Sequence, residues 1–411
     1  MKKITYPKSP SIWPIWLVGV TFVLFQFFLQ LSSGIIIGYV MLEMNLSALT
    51  AGALSASFYL VYTSLQIPVG ILFDSKNPRL LLSTNALICS FGCFCFAASY
   101  NLTSLFMGRT LIGTGAAFAF VGLSHLLRTY FPPRQFAFMI GLSETIGFIA
   151  TVMGMIGLGA LIMLWGWRGF IYCAGIIGLL IAAFARRYIP NETEKNIPLS
   201  TYQRQFCLIL NNKKLWCNGL FIGLTFTLVT VFGAMWAPSF LQVKLNCRIE
   251  EASWVNSLFF LGTGLSCPLF GWLSTRLKRR NPLIYSSLLS TLFFFLLILY
   301  LPTENQFLIG GLMLLVGLCC GAYIIAYPIA NELAPANSLS TCTGFINTLA
   351  LITTPLLQPF IGYLLDLSSQ TGTQYTLSNY QNALLVIPLC LISACFLVRF
   401  LPEKPIMTHV R

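Results

Sequence analysis

Gly70-Ile71-Leu72-Phe73-Asp74-Ser75-Lys76-Asn77-Pro78-Arg79 is the stretch where one apolar run stops and the next begins. Three charged residues pass before the apolar pattern resumes at Leu80. Asn77-Pro78 is turn chemistry, because Asn tolerates unusual backbone angles and Pro cannot continue a helix from behind. A second copy, Gly271-Trp272-Leu273-Ser274-Thr275-Arg276-Leu277-Lys278-Arg279-Arg280-Asn281-Pro282, stands about half a chain later. Each copy follows the second long apolar run of its half. A charged hairpin repeated at that interval marks a duplicated bundle.

Composition says what kind of bundle. Of 411 residues, 57% are hydrophobic and 9% charged, whereas soluble domains carry about 25% charged residues. The chain reads as an all-α membrane protein. Runs of about 20 apolar residues give twelve spans in two six-helix halves. The first six are Ile15–Val40, Thr50–Phe73, Leu80–Ala98, Leu105–Leu127, Phe136–Ile162 and Gly169–Ala185. The second six are Leu215–Phe240, Ala252–Leu273, Leu283–Leu301, Phe307–Ala330, Cys342–Leu365 and Ala383–Leu401. The expected division is an N-terminal half over 1–185, a polar linker over 186–214 and a C-terminal half over 215–411. Lys2 and Lys3 precede the first run as in a signal peptide, but that run far exceeds a signal core, so it reads as a retained span.

The net charge of +13 invites a nucleic-acid reading. Sorting the charges by loop removes it. With the N-terminus cytoplasmic, inside segments hold twenty Lys and Arg against three outside, namely Arg168, Lys244 and Arg248. The positive-inside rule then places both termini and the linker in the cytoplasm, in what reads as a bacterial inner membrane. The expected partners are the lipid bilayer and a small-molecule substrate, not nucleic acid.

No catalytic machinery is visible. Among thirteen cysteines no paired CxxC spacing occurs, and most lie in apolar runs as small packing residues. No phosphate-binding G-x-x-x-x-G-K-[ST] or metal-binding H-E-x-x-H is present, and the two histidines, His125 and His409, are far apart. No cofactor, metal site or enzyme activity is expected.

Arg109 and Glu144 are the ionisable residues placed well inside spans. A charge at mid-membrane costs about 2.5–3.5 kcal/mol on insertion scales, so it usually faces a cavity or a partner. Gln26, Gln30 and Ser33 share one face of span 1, and Tyr323 and Tyr327 one face of span 10. These residues are the candidate substrate contacts. Tyr59, Tyr62 and Gln66 share a face of span 2 that reads as interhelical packing. Thr230, Trp236 and Asn347 are weaker candidates.

The first turn resembles the G-x-L-x-D-R-x-G-R-R signature of the major facilitator superfamily through Gly70, Leu72, Asp74 and Arg79, departing from it at Ser75, Asn77 and Pro78. Leu105-x-x-x-Arg109-x-x-Ile112-Gly113-x-Gly115-Ala116-Ala117 resembles that superfamily's fourth-span signature, with Ile112 in place of Gln, and Trp167-Arg168 is common there too. The resemblance implies two pseudo-symmetric six-helix halves around a cavity lined chiefly by spans 1, 4, 7 and 10, and transport by alternating access. It implies a gating role for Gly70, Asp74 and Arg79. The second turn carries Thr275 where Asp74 stands in the first, so the gate should be asymmetric. Span 5 lacks the Gly-Pro dipeptide of proton-coupled drug exporters in that superfamily. Phe27-Phe28-Leu29-Gln30, Gln66-Ile67-Pro68-Val69-Gly70 and Gln358-Pro359 resemble, more weakly, bacterial relatives of the lysosomal dipeptide carriers.

The expected function is therefore secondary transport of a small polar solute, a dipeptide or another zwitterion or anion. Alternatives are an efflux carrier for drugs, siderophores or metabolites, or a non-transporting receptor on the same fold. A proton is the coupling ion considered. Counting residues from the span ends puts Arg109 and Glu144 about 10 Å apart along the membrane normal. That exceeds a salt bridge, and a bound zwitterion is a candidate to bridge them. The orientation is testable: a cysteine replacing Asn196 in a cysteine-free background should resist a membrane-impermeant thiol reagent added outside. Rapid labelling would invert the topology.

Overall fold

Inside a hydrocarbon slab backbone donors and acceptors must pair within their own segment, so each apolar run folds as helix. The computed structural model describes residues 12–31, 33–192, 206–277, 279–334, 339–369 and 375–403. The side chains of Asp74, Thr275, Asn331 and residues 133–138, 155–161, 163 and 339–340 lie outside the described set, as do most of the linker, both termini and His409.

Span 1 comprises α1 (Ile12–Leu31) and α2 (Ser33–Met44); α3 (Ala48–Ser75), α4 (Pro78–Ala97) and α5 (Leu102–Tyr130) are spans 2 to 4. The helix α6 (Pro133–Tyr188) carries spans 5 and 6, bent at Gly166, whose φ of 68° suits glycine. Span 6 thus runs to Tyr188, beyond the Ala185 read from the sequence. Span 7 joins α7 (Lys213–Thr227), a π-helical stretch Leu228–Trp236 and α8 (Ala237–Leu245). Then come α9 (Ile249–Leu277) and α10 (Asn281–Tyr300), spans 8 and 9. Span 10 joins α11 (Gln306–Cys319), a 3₁₀ stretch Cys320–Ile325 and α12 (Ala326–Leu333). Span 11 is α13 (Leu339–Leu351) with α14 (Thr353–Ser368), and span 12 is α15 (Leu377–Leu384) with α16 (Val386–Val398). Among the described residues eleven helical segments are long and apolar enough to cross a membrane, and the fifth expected span is described as apolar over Met139–Gly154.

The deciding turn folds as its chemistry dictates. Asn77 caps α4, its side-chain oxygen accepting from the Arg79 amide at 3.1 Å, and Pro78 takes the first helical position, where no donor is needed. The Asn77 amide also donates to Asn191, tying the turn to the residues after span 6. In the second half Pro282 sits in the first turn of α10 and Arg280 precedes it. There Arg280 forms a two-pronged ion pair with Glu332 of α12, at 2.9 and 2.6 Å. At the opposite end of the bundle, Glu43 accepts from the Trp167 indole (2.6 Å) and the Arg168 guanidinium (2.5 Å). Arg168 also donates to the Ser99 carbonyl at 3.0 Å. The Trp167-Arg168 pair thus clamps spans 1, 3 and 6.

Within the first half α4 packs on α5 and α6, α3 on α5, and α1 on α6. Within the second α9 packs on α11, α7 on α13 and α16, and α10 on α11. Between them α3 runs along α13 and α14, while α6 lies on α9. The α3–α14 seam is tight because it is built on small residues. A Cβ at Gly362 would sit 2.4 Å from the Ala48 carbonyl oxygen, and one at Gly52 2.6 Å from that of Gln358. Gly362→Leu should destabilise the purified protein by about 1–3 kcal/mol through overpacking. Gly311→Leu, where nothing lies within 4 Å, should leave the melting temperature nearly unchanged. Equal shifts for the two would mean the seam is loose.

A closed polar midplane as candidate substrate site

The expected polar faces converge at mid-depth in two adjoining groups. The first surrounds Arg109. Its side chain on α5 is 3% exposed, and Nη1 donates to the Leu29 carbonyl of span 1 at 3.1 Å. The guanidinium carbon lies 5.0 Å from the centre of the Phe58 ring, a cation–π contact. Gln26 donates to Gln30 one turn along span 1, and both are buried. Tyr59 is fully buried beside Gln30 and within electrostatic range of Arg109. Arg109 Nε and Nη2, the Tyr59 hydroxyl and Gln26 Oε1 have no hydrogen-bond partner among the described residues. No described carboxylate lies within 4 Å of Arg109. Unpaired buried donors and acceptors are costly, and here they gather around one cation.

The second group surrounds Glu144 on span 5. Its carboxylate has no hydrogen bond or ion pair among the described residues, and it retains some accessible surface deep inside the bundle. Tyr62, Tyr323, Tyr327 and Cys267 lie within electrostatic range of it. Tyr323 is buried, its hydroxyl 3.1 Å from the Cys267 sulfur. Tyr327, half-buried like Glu144, donates to Asn347 at 3.3 Å. So Arg109, Gln26 and Gln30 come together, as do Glu144, Tyr323 and Tyr327, while no ion pair joins Arg109 to Glu144. Phe58 and Tyr62, stacked at 5.6 Å, stand between the groups.

Contacts across the halves close both ends of this midplane. Toward the basic end, Asn347 donates to Gln66 at 2.7 Å and Arg128 donates to Thr343 at 3.1 Å, while Gln66 also donates, within its own half, to the Ala117 carbonyl at 3.3 Å. The packing expected of Gln66 is therefore packing between halves. Gly70 is buried near the end of α3, and Arg79 Nε has no partner among the described residues. The Asp74 side chain, the acid of that expected gate, lies outside the described set. Toward the opposite end, Pro238 deprives the Ala234 carbonyl of its α-helical donor, and the Ser33 hydroxyl donates to that carbonyl at 3.2 Å. A Cβ at Gly34 would lie 2.4 Å from the Met235 carbonyl oxygen.

Asp366, which sequence reasoning missed, completes that closure. It ends α14 and accepts from the free backbone amides at the start of α3, Ala48 at 3.1 Å and Leu49 at 2.9 Å. Tyr375 donates to the same carboxylate at 2.6 Å and accepts from Ala48 at 3.0 Å. Burial, and then the hydrogen bond to Asp366, hold the Tyr375 phenol above its ordinary pKa, so it remains a donor at neutral pH. The sequence signal was an acid at the end of a span, but its partner is a helix start more than three hundred residues away.

Two helical halves joined by a small-residue seam around a sealed polar centre define a polytopic carrier-type bundle. Comparison with known proteins gives the family. The family model described as Major Facilitator Superfamily matches residues 16–357 and again 250–406. This chain belongs to that superfamily, and it is a membrane transporter. A probable galactarate/D-glucarate transporter of Escherichia coli K12 is 24% identical over 370 residues, covering 79% of this chain and 81% of that one. The hexuronate transporter of Bacillus subtilis is 22% identical over 279 residues, covering 62% and 63%. In fold the chain is similar to a bacterial homolog of the human lysosomal transporter Spinster in an inward-facing, occupied conformation (TM-score 0.72, 14% identity, 95% of each chain). It is also similar to the nucleoside transporter NupG (TM-score 0.68, 14% identity, 94% and 98%).

The Asp366 cap makes a direct prediction. Asp366→Ala should speed hydrogen exchange at the amides of Ala48 and Leu49 on the order of tenfold, since hydrogen bonds to a charged acceptor contribute about 1.5–3 kcal/mol. Unchanged exchange at both amides would remove the cap.

Proposed function

We propose that the protein transports a small organic anion of the sugar-acid type, with Arg109 as the seat of its carboxylate. The observation that carries this reading is the buried guanidinium with two nitrogens unpaired and no acid within 4 Å among the described residues. A planar carboxylate matches such a fork with two parallel hydrogen bonds. Gln26, Gln30 and Tyr59 offer donors and acceptors for hydroxyl groups beside it. Relatives named for galactarate, galactonate and hexuronate favour the same chemistry. The zwitterionic dipeptide has in its favour the separation expected between Arg109 and Glu144 and the weaker resemblance to relatives of the lysosomal dipeptide carriers. A sugar acid needs no cation-binding partner, so it leaves Glu144 free to carry the coupling proton.

In this reading the halves, 1–185 and 215–411, rock about the α3–α13/α14 seam with the basic end in the cytoplasm. Asn347–Gln66 and the Gly70–Arg79 turn close the inner side, and Asp366 and Ser33 the outer. Tyr323 and Tyr327 contact the substrate from span 10.

Proteoliposome uptake of D-glucarate, L-galactonate, a hexuronate, glucose, uridine and dialanine tests it. The acids should be taken up, and Arg109→Lys should reduce their uptake on the order of tenfold or more, since a point charge does not replace a fork. Glu144→Gln should abolish stimulation by a pH gradient while leaving exchange of the same acid. Equal uptake of glucose or uridine, or full activity of Arg109→Lys, would overturn the assignment. Uptake of dialanine that is lost when its amino group is blocked would favour the zwitterion instead.

A further inference from the structure

At the basic end, spans 1 and 6 diverge and leave an open groove of about 550 Å³ on the outside of the bundle. One wall is Trp13, Trp16 and Leu17 on α1, and the other is Ile181, Phe184 and Tyr188 on α6. The wall from Trp13 to Thr21 is about 12 Å long at 1.5 Å per residue, so the groove reaches well into one leaflet. Its deep polar atoms are already satisfied. The Trp16 indole donates to Ser143 at 3.2 Å, and the Thr21 hydroxyl to the Leu17 carbonyl at 2.7 Å. A guest lying in the groove must therefore be apolar along its length.

The mouth has the opposite character. Arg186 and Arg187 are exposed in the last turn of α6, beside Tyr188. The Arg187 guanidinium carbon lies 5.6 Å from the ring centre of Tyr188, a residue of the groove's wall. No described acid is within 4 Å of either arginine. Apolar walls beside an arginine that has no described acid within 4 Å, at the end of a span, match one ligand chemistry, an anionic phospholipid.

We propose that this groove is a binding site for an anionic phospholipid, with an acyl chain against Trp13, Trp16 and Phe184 and the headgroup phosphate on Arg187. It lies on the lipid-facing side of spans 1 and 6, apart from the polar midplane, and does not depend on which solute is carried. The lining tryptophans report occupancy directly. Charge complementarity at the mouth, not the groove walls, gives the headgroup preference, and that preference is screened by salt.

The test uses the full-length protein in phosphatidylcholine nanodiscs, doped with increasing fractions of either phosphatidylglycerol or phosphatidylcholine brominated on the acyl chain. The groove signal is the fluorescence lost between the protein and its Trp13→Phe/Trp16→Phe variant. Half-quenching of that signal should need about fivefold less brominated phosphatidylglycerol than brominated phosphatidylcholine. The preference should vanish in Arg187→Gln and persist in Arg187→Lys, whose charge is kept. Equal quenching by the two lipids, preference surviving in the glutamine variant, or a groove signal quenched by neither lipid would each overturn the proposal. Melting temperatures of the variants, compared in plain phosphatidylcholine, separate a lost site from a misfolded protein.

Discussion

A guanidinium held at mid-membrane with no counter-ion among the described residues is the constraint that organises this molecule. Water cannot solvate Arg109 there, so the protein must supply what contact it can. A carbonyl of span 1 and the face of Phe58 do part of this. The rest requires spans 1, 2 and 4 to stay close. Gly113 permits it, since a Cβ at that position would lie 2.6 Å from the Phe58 carbonyl oxygen. The charge, the ring and the glycine therefore form one unit, and two donors are left over on the side where the polar residues gather.

The same economy of partners explains the closures. In hydrocarbon every unpaired backbone group seeks a donor or acceptor, and the halves use such groups to recognise each other. Pro238 frees a carbonyl for Ser33. The start of α3 has free amides, and Asp366 takes two of them. Asn347 and Gln66 pair side chain to side chain across the seam. Each is a few hydrogen bonds at a helix end or kink, of a size that a bound solute's own contacts can offset. Seams made of glycine carbonyl contacts, unlike large interlocking side chains, let helices shift without repacking a core.

Much of this was legible in the sequence. Run lengths, the repeated charged turn and the fourth-span pattern around Arg109 were enough for twelve spans and a superfamily. Asn77-Pro78 reads as a helix start from residue chemistry alone, and the structure uses both residues that way. Arg109 and Glu144 stood out because charges in apolar runs are rare, and both lie at the centre with no ion pair among the described residues. What stayed hidden has one cause: it depends on which distant helix lies opposite. Gln66 and Asn347 are both visible in the sequence, but that they pair shows only where spans 2 and 11 meet. Asp366 looks like a loop acid until the start of α3 lies beside it. The extension of span 6 to Tyr188 was missed because two arginines at the end of an apolar run read as loop, although arginine stems can remain helical while their charges reach the membrane surface.

The 3₁₀ stretch in span 10 has a mechanical consequence. Its six residues, Cys320–Ile325, include Tyr323, and Tyr327 and Pro328 follow directly. A 3₁₀ segment rises about 2.0 Å per residue with three residues per turn, against about 1.5 Å and 3.6 for an α-helix. Rewinding these six residues to α geometry would shorten the span by about 3 Å and turn everything beyond it by about 120°. Span 10 thus holds both stroke and rotation in two tightened turns, and the tyrosines within electrostatic range of Glu144 ride on that spring.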